Sequence, residues 1–179
     1  MNKFAKLAVV TAAALASTPA IAAPVGVTPG SEPVARARII KPLTLSAVGT
    51  LNFGDIVIPA GGVTADRLIR LNATTGVIAA ADCGGGSAEV VCSGVTSVPT
   101  YTVTGTQGQQ VNVTKTASDL TNQNDGTTLQ MTPTGIDDLV LTNSGAPGDP
   151  FTIGGDITIT STTTDGLYLG SVDVTVDYN

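Results

Sequence analysis

The last fourteen residues, Gly166 to Asn179, alternate apolar and polar side chains up to the final position. Tyr168, Val172, Val174, Val176 and Tyr178 fall on one face, and Ser171, Asp173, Thr175 and Asp177 on the other. A period of two is that of a β-strand with one buried and one wetted side. The same alternation, punctuated by Gly, Asn and Asp, recurs through the chain. It predicts strands near Ala35–Ala47, Leu51–Ile58, Arg67–Leu71, Gly76–Ala80, Thr100–Gly105, Gln110–Lys115, Thr128–Thr132, Leu139–Thr142, Phe151–Thr160 and Tyr168–Tyr178. Two hairpins are expected. One sets Tyr101 and Val103 against Val111 and Val113 across Gly105–Gln109; the other joins Phe151–Thr160 to the terminal strand through Thr162–Gly166. Helical periodicity is absent beyond the first 22 residues.

Many short strands with frequent turns predict an all-β fold, an immunoglobulin-like two-sheet β-sandwich. An outer-membrane barrel shares the alternation, but six aromatic residues in the whole chain cannot furnish two interfacial girdles.

At the other end, Lys3 and Lys6 precede an uncharged run from Leu7 to Ala16, and Ala20-Ile21-Ala22 follows as a small-x-small box. This is the pattern of a secretory signal peptide, 1–22, cut after Ala22. Its apolar run is too short to cross about 30 Å of hydrocarbon, and no later segment approaches the required length, so no transmembrane segment is expected after cleavage. About 157 residues remain, the size of one domain. Loss of Lys3 and Lys6 takes the formal charge from −6 to −8, which argues against nucleic acid as a partner. Five of the six remaining cations precede residue 71 while acids continue to the C-terminus, an asymmetry suited to head-to-tail contact between copies. Cys83 and Cys92, the only cysteines, bracket a Gly-rich segment and are expected to form a disulfide in an oxidising compartment. They lack the C-x-x-C spacing of a redox pair.

Catalytic chemistry finds no foothold: there is no histidine, no Gly-x-Ser-x-Gly elbow and no phosphate-cradling glycine loop ending in lysine. Asp137 and Asp138 are adjacent and would point to opposite faces of a strand, so a turn suits them better than an acid dyad. Asn122-Gln123-Asn124-Asp125-Gly126 resembles a calcium loop but lacks the alternating acids and distal glutamate, and reads as an Asx/Gly turn. No catalytic residue, metal ligand or cofactor is expected, and the chain is not expected to be an enzyme.

The penultimate Tyr178, the alternating residues before it and Gly166, fourteen residues from the end, together resemble the C-terminal signature of chaperone–usher pilus subunits. Thr50-Leu51-Asn52-Phe53-Gly54-Asp55-Ile56 is similar to the "LNFG" segment after the first strand of spore-coat-U-like fimbrial subunits. Ile40-Lys41-Pro42-Leu43-Thr44-Leu45-Ser46 stands where those subunits carry that strand. Such subunits usually end it with a cysteine, whereas here Ser46 or a neighbour stands there. The chain also resembles a small secreted bacterial family known only as a domain of unknown function. The resemblance implies a pilin-like sandwich, incomplete and completed by a donor strand. It further implies a terminal strand (Gly166, Val172, Val174, Val176, Tyr178) gripped by a periplasmic chaperone, an outer-membrane usher, and assembly with copies of itself or related subunits at the cell surface. The residues of 23–39 suit a donor: Ala35, Ala37 and Ile39 share one face, Arg36 and Arg38 the other, and Pro24, Pro29, Gly30 and Pro33 keep the preceding stretch from folding alone. Alternatively, Ala35–Ala47 is the first strand of the 40–179 sandwich itself, bent at Pro42. Two functions follow: a structural subunit of a secreted fibre, or a monomeric secreted sandwich that binds a carbohydrate or surface ligand.

Overall fold

The computed structural model describes residues 24–84 and 90–179. The expected signal peptide and the middle of the loop between the cysteines lie outside these. The chain divides at Arg38 into two units. The described part of the first, 24–38, forms no strand and is exposed throughout. Its one local feature is a turn in which Ser31 N donates to Thr28 O at 2.9 Å.

The second unit is all β. Its strands are β1 (Thr44–Val48), β2 (Asp55–Val57), β3 (Arg67–Leu71), β4 (Val91–Ser93), β5 (Thr100–Thr104), β6 (Gln110–Thr116), β7 (Ser118–Asn122), β8 (Thr128–Gly135), β9 (Asp138–Val140), β10 (Asp149–Ile159), β11 (Tyr168–Leu169) and β12 (Asp173–Tyr178). The large sheet runs β1-β5-β10-β8-β7-β11, with β3 also on β10; a second runs β12-β6-β9, and β2 pairs β4. All pairs are antiparallel. β10 is the spine: its first residues pair β5, while Gly155 to Ile157 carry β3 on one edge and β8 on the other. Two apolar clusters lie along it. Tyr101, Val103, Val111, Val113, Leu141, Phe151 and Ile153 form the first, between the large sheet and β12-β6-β9. Ile69, Met131, Ile157 and Ile159, with Val63 and Val90, form the second, covered by Phe53, Ile56 and Cys92.

Several expectations change. The strand predicted over Ala35–Ala47 begins only at Thr44, because Pro42 brings no N–H to a ladder and residues 35–41 find no partner strand. Gly76–Ala80 supplies a single bridge, Ile78 to Leu71, and Leu51–Ile58 shortens to β2 after an isolated bridge at Asn52. β4 and β7 were not expected.

Neither predicted hairpin forms. β5 pairs β1 and β10, whereas β6 pairs β12 and β9. Tyr101 and Val103 therefore meet Val111 and Val113 across the core, not along a ladder. β10 does not pair the terminal strand, which itself divides: β11 joins β7 in the large sheet and β12 joins β6 in the other. The crossing falls at Gly170, where a Cβ would stand 2.7 Å from Asp119 O.

Candidate functional site

β1 and β12 end their respective sheets and border the same core, so each has one ladder edge with no partner strand among the described residues. Their inward side chains, Leu43 and Leu45 from one and Val174, Val176 and Tyr178 from the other, pack on the first cluster but are only partly buried. Ala47 shares the face of Leu45 and is exposed. In a closed sandwich such positions would be covered. Here, between β1 and β12, lies a strip of partly buried apolar side chains, an apolar groove bridged by hydroxyls and flanked by two unpaired rows of backbone N–H and C=O groups.

Two hydroxyls span this groove. Tyr178 Oη donates to Lys41 O at 2.6 Å and accepts from Thr106 N at 2.7 Å. Tyr101, whose register partner is Ala47, donates through its Oη to Val172 O at 3.5 Å. The end of β12 thus lies by the start of β1 and its beginning by the end of β1, so the strands run in opposite directions. Gly105 makes room for the tyrosine, since a Cβ there would stand 2.5 Å from Tyr178 Oη and 2.8 Å from Leu43 Cδ2. The outward faces differ: β1 offers Thr44, Ser46 and Val48, β12 Asp173, Thr175 and Asp177.

The singled-out residues fall as follows. Val174, Val176 and Tyr178 pair with Lys115, Val113 and Val111. Val172 lies just before β12, inward and half-buried. Gly166 lies outside β12, with φ +146° and no room for a Cβ beside the side chain of buried Asn122, which donates to Asp165 O and Thr164 Oγ1. Ala35 and Ala37 are exposed in the first unit, and Ile39 is exposed at the start of the second. Cys83 and Cys92 are disulfide-bonded, with Cα atoms 5.3 Å apart. This bond borders the second cluster, away from the groove.

Elsewhere polar groups are turned to structural use. Residues 122–126 close a turn in which Gly126 N donates to Asn122 O at 3.0 Å and Asn124 N to Asn122 Oδ1 at 2.9 Å. Asp137 pairs with Lys115 Nζ at 2.7 Å, and Asp138 opens β9. A cleft of about 570 Å³ lies beside Arg70, Asn72, Asp82 and Asp156. Two of its ionic groups engage each other: Arg70 grips buried Asp82 through Nη2 at 2.6 Å and Nε at 3.0 Å. Burial raises the Asp156 pKa, against the pull of Arg70. A second cleft, about 410 Å³ and rich in threonine, is lined in part by Tyr168, whose hydroxyl donates to Thr164 O at 2.9 Å. No described aromatic ring is exposed, and Tyr101 stacks on Phe151 with centroids 5.4 Å apart.

No curated protein and no solved structure matches the chain significantly. The family described as a domain of unknown function, DUF4402, matches residues 43–178, and the chain belongs to it.

Proposed function

We propose that this DUF4402 protein is a structural subunit of a secreted surface fibre, assembled by donor-strand complementation. One observation carries the reading: β1 and β12 leave two unpaired edges around an apolar groove whose inward side chains are only partly buried. An extended strand inserted there would pair both edges and cover those side chains, as in β-augmentation. Residues 34–40 supply an exposed, unpaired segment of suitable pattern, in which an extended conformation would set Ala35, Ala37 and Ile39 on one face. Before assembly the groove needs a temporary occupant, the part of a periplasmic chaperone with an outer-membrane usher as exit. The competing reading, a monomeric ligand-binding sandwich, would call for exposed aromatics in a cleft.

Deletion of 23–39 tests this. The mature chain should form multimers that resist SDS and moderate heat, because extraction of the inserted strand breaks a continuous ladder. The deleted form should be monomeric, and a peptide spanning Val34 to Leu45 should bind it and raise its Tm by mass action. A mature chain that stays monomeric at high concentration alongside its own secretion machinery, with a peptide that does nothing, rejects the fibre.

A further inference from the structure

The outward face of β12 carries two acids with no basic partner. Asp173 and Asp177 are exposed, and their register partners on β6 are Thr116 and Asn112. Neither makes an ion pair among the described residues. Lys41, placed near the end of β12 by the Tyr178 hydrogen bond, is occupied by Ser144 O at 3.1 Å, and Lys115 by Asp137. The free edge of β12 therefore presents Asp-x-Thr-x-Asp with nothing beside it, while the outward residues of β1 carry no charge.

Residues 34–40 carry the complement. With Ala35, Ala37 and Ile39 turned into the groove, Arg36 and Arg38 point outward, on the same side as Asp173 and Asp177. Outward neighbours on one strand are about 7 Å apart, and across a ladder side chains reach both the directly opposite residue and the diagonal ones. If Arg36 stands opposite Thr175, Arg38 stands opposite Asp177 in a parallel pair or Asp173 in an antiparallel one. Arg36 then lies diagonal to both acids. In either direction two neighbouring registers give each guanidinium its own carboxylate, and a further two-residue slip either way leaves both arginines on one acid. We propose that Arg36 and Arg38 of one copy read Asp173 and Asp177 of the next, narrowing the register of the inserted segment to these two positions and selecting a second copy of this chain as its source. This rests on the donor-strand reading above and adds its specificity.

The test uses full-length mature chains carrying charge swaps. One variant has Arg36→Asp and Arg38→Asp; another has Asp173→Arg and Asp177→Arg. Each alone should form multimers about tenfold more slowly than the unmodified chain, since like charges then face each other across the ladder. Mixed, the two should multimerise at the unmodified rate in strict alternation, visible when only one carries a label. A chain with all four substitutions should also recover. Raising the ionic strength should slow the unmodified chain and abolish the differences. Equal rates for every variant, or single variants rescued neither by mixing nor by the fourfold swap, overturn the charge reading and leave the donor strand standing. An unmodified chain that never multimerises overturns both.

Discussion

Asp149 sits buried at the start of β10, where burial alone would raise its pKa. The Thr142 hydroxyl and the backbone N–H groups of Asn143 and Thr142 outweigh that and hold the carboxyl below its ordinary value. Asp82 is lowered too, chiefly by its hydrogen bond from Arg70. Water screens that pair on the Arg70 side, where 56% of the side chain is exposed, so its weight is smaller. Both acids have folded pKa values below their unfolded ones. Their stabilisation is therefore present above the unfolded carboxylate value, about 4, and is lost as pH falls through the folded values. Thermal melts should hold a level Tm from pH 7 to about 5 and decline below about 4. Asp149→Asn should lower the plateau and flatten the acid decline; an unchanged profile would remove Asp149 from this role. Tyr178→Phe strips partners from Lys41 O and Thr106 N and should cost about 1–2 kcal/mol in denaturant unfolding.

At the scale of elements, the phase of β12 is open to a paired test. Val174→Asp turns a charge into the first cluster and should destabilise by about 2 kcal/mol or more. Thr175→Asp, on the wet face, should cost below about 1 kcal/mol; equal melting of the two would reverse the assigned faces. That phase was legible because alternation reports which side chains turn inward: Val174, Val176, Tyr101, Val103, Val111 and Val113 all face the core as their pattern requires. Partnership was not legible. The pattern in β5 and β6 is the same whether they form a hairpin or face each other from two sheets, and it is their partners, β1 and β10 for one and β12 and β9 for the other, that separate the two. β7 escaped notice because Ser118-Asp119-Leu120-Thr121-Asn122 holds one large apolar residue. The pairing of Cys83 with Cys92 was readable from spacing and compartment. The open edge was not, since it depends on which strands lack neighbours.

At the scale of the whole molecule, the disulfide borders the second cluster and the groove the first. Cys83→Ser with Cys92→Ser should lower stability by about 2–3 kcal/mol in the chain-entropy account. Multimer formation at a temperature where the variant stays folded should not change; loss of assembly there would tie the two regions together. What joins the clusters is β10, which gives Phe151 and Ile153 to one and Ile157 and Ile159 to the other. It lies late in the chain, at residues 149–159. A polypeptide made N-terminus first can close neither core until that stretch has been made. A chain stopped at Gly148 should accordingly show no cooperative melting. The order of arrival built into the sequence thus holds back closure of both cores until the strand they share is present.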